Sequence, residues 1–337
     1  METTAASWSS KRGPPKRLFL CDNHCYLPPV PSEKAVAQLQ RHKQAGFDLV
    51  FLNLGDAGRT LEQIVRMAAF LRDWLARNAD GYALVGDVES VRQANASGRL
   101  AVAFDVEGLV CVGDQLSVIP LLADLGVRWA ALVYNRRNLI GYGCHDPDDQ
   151  GLTPFGKRVV EAMDRAGIIK CCSHAGYRTA LEIIESGEKP SMFSHSNPRA
   201  LVDHQRNIPD GLIKACARRG GLIGINGIAL FLGCPKASPG VIVEHIDYVA
   251  QLVGCDHVGL GFDFGYTDGL QPQMDLADSY YWPPGNGYEK PVHSIAPDEA
   301  IEGILAGLDR LGYGAGDIDQ ICGGNLLRLG DEVWSGA

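Results

Sequence analysis

Leu100-Ala101-Val102-Ala103-Phe104-Asp105-Val106-Glu107-Gly108 is a short, nearly continuous apolar run that ends on a carboxylate and a glycine. Such a run fits a strand buried on both faces, as in a parallel sheet. Seven more runs rich in apolar and β-branched residues flank it, at 17–21, 47–54, 127–134, 168–173, 191–194, 221–225 and 257–262. Amphipathic stretches of helical length separate them, at 32–45, 60–77, 85–97, 114–125, 153–166, 177–186, 210–219, 241–253 and 297–311. Eight strands alternating with helices predict an α/β fold, a closed (β/α)8 TIM barrel. A doubly wound open sheet is the alternative, weakened because no GxGxxG follows the first strand.

A length of 337 residues suits one such barrel with insertions. A poorly ordered segment is expected at 1–16 and a single catalytic domain at 17–337. Within it, 265–292 is rich in Gly, Pro, Tyr and Asp and lacks helical periodicity, so it reads as a long loop over the barrel mouth. Apolar residues make up 46% and charged residues 21%, as a large core requires. The net charge is −9 with no basic cluster, which argues against nucleic acid and anionic membranes as partners. No apolar run reaches the roughly 18 residues of a membrane span. The N-terminus lacks the apolar centre of a signal peptide. The ten cysteines are scattered and form no CxxC pair, so they read as reduced thiols of a cytoplasmic protein.

Barrel enzymes build their sites at the C-terminal ends of the strands, and that rule serves as a filter. It selects His24, Glu107, Tyr134, His174, His195 and Asp263. Imidazoles and carboxylates from separate strands can converge on one point, which a catalytic zinc needs. Taken alone, each has a plainer reading: a strand-end histidine is more often a core or capping residue, and Asp263 could cap the next segment. Three of the nine histidines fall at ends the filter selects, and that coincidence favours the joint site.

Local motifs point the same way. Asp22-Asn23-His24-Cys25-Tyr26-Leu27-Pro28, Val106-Glu107-Gly108, Ser173-His174, Ser194-His195-Ser196-Asn197, Arg206-Asn207-Ile208-Pro209-Asp210 and Gly261-Phe262-Asp263-Phe264 occur in that order. Together they resemble the membrane (renal) dipeptidases, a family of zinc dipeptidases. The resemblance implies hydrolysis of a dipeptide or similar small amide at a binuclear zinc site. Glu107 would bridge the metals, His174 and His195 would complete one, and His24 with a second ligand from its own motif would hold the other. Arg206 would clamp a substrate carboxylate, and Asp263 would be the general acid and base.

Two positions depart from the family pattern. Tyr26 stands where the family has a metal-binding aspartate, and a phenol binds zinc only once deprotonated. Tyr134 stands where the family has a histidine that polarises the substrate carbonyl; its hydroxyl can still donate to an oxyanion. These changes keep a second reading open: a single-metal enzyme acting on another small amide or lactam, or a lyase or epimerase. The expected partner is a carboxylate-bearing small molecule, with a homodimer left open.

Overall fold

The computed structural model describes residues 17–267, 278–289 and 292–334. The segment expected to be poorly ordered, 1–16, lies outside those residues, as does much of the loop expected at 265–292.

The strands are β1 (Cys21–Tyr26), β2 (Leu49–Asn53), β3 (Tyr82–Leu84), β4 (Leu100–Glu107), β5 (Val127–Ala131), β6 (Ile169–Cys171), β7 (Ser191–Phe193), β8 (Leu222–Ile225), β9 (Val258–Leu260) and β10 (Phe264–Gly265). They form one parallel sheet in the order β10-β1-β2-β4-β5-β6-β7-β8-β9. β9 and β10 are halves of one strand, interrupted by Gly261-Phe262-Asp263. The two ends of the sheet therefore belong to the same run of chain, and β10 pairing with β1 closes the barrel.

Alternation along the strands sorts the core into two layers. Leu49 and Phe51, Ala101 and Ala103, Trp129 and Ala131 face inward and pack with Ile169, Cys171, Met192 and Leu222. The residues between them, among them Val50, Leu52, Val102 and Phe104, face outward under the helices. Helix Asn325–Val333 sends Leu326, Leu329 and Val333, followed by Trp334, into the inner cluster. Apolar packing thus fills one half of the barrel. The other half is left to polar groups, including Asn23, His24, Asp105 and His195, all buried.

The structure moves several expected boundaries. The first strand is Cys21–Tyr26 rather than 17–21, so His24 and Tyr26 lie within it instead of beyond it. Its inward residues are polar because they line the barrel mouth, which hides the apolar pattern of a strand. β5 stops at Ala131, leaving Tyr134 in the following turn. β3 was not expected; it pairs with the first half of β4, on residues Leu100 to Val102, and β5 takes over from Phe104. The helix expected at 32–45 is two short helices, Glu33–Val36 and Leu39–Gln44.

Candidate metal centre

Glu107, the last residue of β4, is the hub. Its Oε1 lies 3.0 Å from His174 Nε2 and 3.2 Å from His195 Nε2, and its Oε2 lies 3.3 Å from His24 Nε2. Asp263 Oδ1 is 3.5 Å from the same His24 nitrogen. Candidate ligand atoms of His24, Glu107 and His195 fall within 4.8 Å of one another. The His24 and His195 rings stack, with centroids 4.5 Å apart.

What lies behind each imidazole fixes what faces forward. His24 Nδ1 is 3.2 Å from Asp105 Oδ2, His174 Nδ1 is 2.7 Å from Asn135 Oδ1, and His195 Nδ1 is 2.8 Å from Ser194 Oγ. An Nδ1–H donated to each of these oxygens leaves each Nε2 with a bare lone pair. The Nε2 atoms of His174 and His195 are then 3.0 Å apart with no proton to share, beside the Glu107 carboxylate. His24 Nε2 and Glu107 Oε1 are buried and make no aligned hydrogen bond. Arg206 Nη2 donates to the His174 lone pair at 3.0 Å, and the remaining lone pairs repel unless a cation sits among them. The donor set, three imidazole nitrogens and carboxylate oxygens, fits a zinc-type ion.

The charges agree with that fit at Glu107, His174 and His195 and depart from it at His24. Burial opposes ionisation of Glu107, yet the imidazoles of His24 and His174 hold its carboxyl well below the usual range. Burial, with the Arg206 guanidinium adding to it, keeps His174 well below its ordinary value, and burial likewise lowers His195. At His24, Glu107 and Asp105 outweigh burial and raise the value well above normal. Burial pushes Asp105 up to about 6, against the pull of His24.

Asn135, His174 and Asp263 are the non-glycine residues with left-handed backbone among those described, at φ 55°, 70° and 56°. Such conformations cost on the order of 1–3 kcal/mol each and collect where geometry serves function. All three touch the cluster or its neighbours.

Arg206 is buried, with Nη2 3.0 Å from His174 Nε2 and its guanidinium 5.3 Å from the Phe231 ring. Among the described residues no carboxylate lies within salt-bridge distance of it, and its Nε has no partner. A cavity of about 220 Å³ opens beside it, lined also by Cys144, Tyr177, Arg199 and Ile208. Tyr134 stacks on the His174 ring at 4.3 Å. Gly108, at φ 89°, lets that tyrosine close in: a Cβ there would lie 3.0 Å from the Tyr134 Cβ and 2.9 Å from Ala57. Tyr281 and Trp282 pack against Tyr134, and Trp282 reaches within 6.3 Å of His174.

Tyr26 stands apart. It pairs with Gly265 across β1 and β10, and its ring lies over that glycine, where a Cβ would fall 2.3 Å from Cζ. Burial, then Asp263 and Glu107, push its phenol well above the ordinary range.

The profile of the membrane dipeptidase family (peptidase family M19) matches residues 35–282, well over half the sequence. The chain belongs to that family. Dipeptidase aclJ of Aspergillus oryzae is 32% identical over 244 residues, covering 70% of this chain and 53% of that protein. The chain spans about half the length of the curated relatives it matches. An amidohydrolase from Pseudomonas aeruginosa shares the fold with a TM-score of 0.83 at 23% identity, over 94% of this chain and 97% of that one. A metallopeptidase from Rhodobacter sphaeroides, solved with a phosphinate mimic of the dipeptide L-Ala-D-Ala, gives 0.77 at 21% identity, over 95% and 100%. The family match begins after His24 and Tyr26, so the opening motif of this membrane dipeptidase relative stands outside it.

The structure thus gathers His24, Glu107, His174, His195, Asp263, Arg206 and Tyr134, and leaves Tyr26 turned over Gly265. Asn135, Asn226 and Asp105 also adjoin the site and were not expected there. Asp105 had a signal: it is the one charged residue inside the apolar run 100–106.

Proposed function

We propose that this membrane dipeptidase family member is a zinc-dependent hydrolase that cleaves the amide bond of a dipeptide or dipeptide-like molecule. One observation carries the reading: the Nε2 atoms of His24, His174 and His195 converge on the Glu107 carboxylate beside Arg206, a buried guanidinium without a carboxylate partner among the described residues. A buried charge without a partner is costly, and a ligand carboxylate supplies the missing one. The phosphinate complex of the Rhodobacter relative supports a ligand of this class.

Glu107, His174 and His195 would hold one metal, and His24 would offer a donor to a second. When bound, the metal supplies a Lewis acid to the scissile carbonyl. Arg206 grips the substrate carboxylate with its planar fork. The Tyr134 hydroxyl donates to the oxygen that gains negative charge as water adds. Asp263 takes a proton from the attacking water at Oδ1 and returns it to the leaving nitrogen as the C–N bond breaks. Its Oδ2 is already held by Asn226, which leaves Oδ1 for that work. Tyr281 and Trp282 shield the reaction from bulk water. The ten free cysteines suit a reducing, cytoplasmic setting. Among the described residues no helix is long and apolar enough to cross a membrane.

The test is turnover by the zinc-loaded protein of a dipeptide panel with free and amidated C-termini. Hydrolysis confined to free carboxylates supports the assignment. Equal turnover of both sets, or of neither, overturns it.

A further inference from the structure

Tyr134-Asn135-Arg136 does more than present one aromatic ring. Each of the three residues holds the segment 278–289, which crosses the barrel mouth. Arg136 Nε donates to the Tyr280 carbonyl at 2.6 Å, with its guanidinium 5.7 Å from the Tyr280 ring. Asn135 Nδ2 donates to the Tyr281 carbonyl at 3.0 Å. Tyr134 meets Tyr281 and Trp282 edge-on at 5.6 and 5.7 Å.

The other end of the Asn135 amide accepts from His174 Nδ1 at 2.7 Å. Both bonds together fix which way the amide points: a carbonyl can only accept, so nitrogen must face Tyr281 and oxygen must face His174. Asn135 is fully buried, with a left-handed backbone. Gly143 lies directly on it; a Cβ at 143 would fall 2.0 Å from the Asn135 carbonyl carbon. Gly143 thus pins the Asn135 main chain, and the two amide hydrogen bonds hold its side chain between Tyr281 and His174.

We propose that Asn135 is a positioning residue that couples the 278–289 strap to the metal ligand His174. Docking of the strap holds the amide oxygen on Nδ1, and that bond keeps the His174 lone pair aimed at the centre. Metal affinity and strap docking are then linked, each strengthening the other. The proposal rests on the metal-centre reading above.

Three measurements test it. Zinc affinity is read by chelator competition, strap docking by hydrogen–deuterium exchange over 278–289 with and without zinc, and the His174 tautomer by nitrogen-15 shifts in zinc-free protein. Asn135→Asp keeps an oxygen for His174 but turns a second one on the Tyr281 carbonyl. Its strap exchange should rise about tenfold, as loss of one buried hydrogen bond implies, and the slowing of that exchange by zinc, expected in the unmodified protein, should be lost. Asn135→Gly relieves the backbone and offers neither atom. It should bind zinc roughly 10- to 100-fold more weakly and lose the single Nδ1–H tautomer. Unchanged strap exchange in Asn135→Asp, or an unchanged tautomer in Asn135→Gly, overturns the proposal. Failure of the unmodified protein to bind zinc would overturn the metal reading instead, while the tautomer and the zinc-free exchange would still judge the coupling. Asn135→Asp is nearly isosteric, so it keeps the test sound if Asn135→Gly does not fold.

Discussion

Asn226 Nδ2 donates to Asp263 Oδ2 at 2.8 Å, and it can face no other way because Asn226 Oδ1 accepts the Ile228 backbone N–H at 2.6 Å. One carboxylate oxygen of Asp263 is thereby tied down, and the other is left toward His24. Asn226→Ala should lower kcat roughly 10- to 100-fold, the usual cost of losing an orienting partner. Zinc content should not change, since Asn226 touches none of the proposed ligands His24, Glu107, His174 and His195. Asn226→Asp should be worse than Ala, because two carboxylates would then face each other. Steady-state kinetics paired with metal analysis decide this; normal turnover in Asn226→Ala would remove Asn226 from the mechanism.

Removal of the metal should act on stability as well as on turnover. A ligand bound only by the folded state stabilises it by about 2.7 kcal/mol at one hundred times its dissociation constant. Chelation should therefore lower Tm, and added zinc should restore it. His174→Ala combined with His195→Ala should abolish the zinc-dependent rise. A double variant that still gained stability from zinc would place the metal elsewhere.

Arg206→Lys keeps the charge and loses the fork. Hydrogen bonds to charged groups contribute about 1.5–3 kcal/mol, so KM for free dipeptides should rise roughly tenfold to over a hundredfold. Competitive binding of amidated dipeptides, which lack the carboxylate, should respond little. Wild-type KM in the Lys variant would dismiss the clamp.

His245 gives a pH prediction away from the site. It is buried on helix Pro239–Val253, its Nδ1 has no partner, and burial pushes its pKa down to about 4. In the unfolded chain the value is near 6.5. Below that pH the unfolded state binds a proton that the folded state refuses, so stability falls as pH drops from about 6.5 to 4. The full loss is on the order of 3 kcal/mol. His245→Leu should flatten that acid limb in denaturant titrations at pH 7 and 4.5. An identical slope in both proteins would assign the acid sensitivity to other groups.

The barrel was legible because apolar runs survive wherever a strand is buried on both faces, as at Leu100–Val106 and Leu222–Ile225. It was least legible at β1, where the buried polar residues Asp22, Asn23 and His24 break the pattern. The ligand-type residues could be read because charge and imidazole are rare at strand ends. Asn135 and Asn226 could not: an asparagine after a strand is ordinary turn chemistry, and only the fold shows which atoms its amide meets. The left-handed backbone of His174 and Asp263 carries no sequence signal either, since neither is glycine.

Tyr26 tests how far this chain departs from its family. The resemblance puts an aspartate there, as the second ligand of the metal nearest His24. A phenol and a carboxylate differ by about six pKa units in their reference values. Here burial, Asp263 and Glu107 move the phenol still further from ionisation, and the ring is turned over Gly265. The unmodified protein should therefore hold one zinc tightly, at Glu107, His174 and His195, and fill a second position near His24 only at high added metal. Tyr26→Asp should bring occupancy toward two, with the smaller side chain also vacating the space above Gly265. Anomalous scattering at the zinc edge on crystals of both proteins would count the ions. Ultraviolet difference spectra during zinc titration would show whether a tyrosinate forms. Two fully occupied ions in the unmodified protein would refute the single-site expectation. A tyrosinate band alongside them would mean that the metal strips the Tyr26 proton, and its absence would mean that another residue supplies the missing ligand.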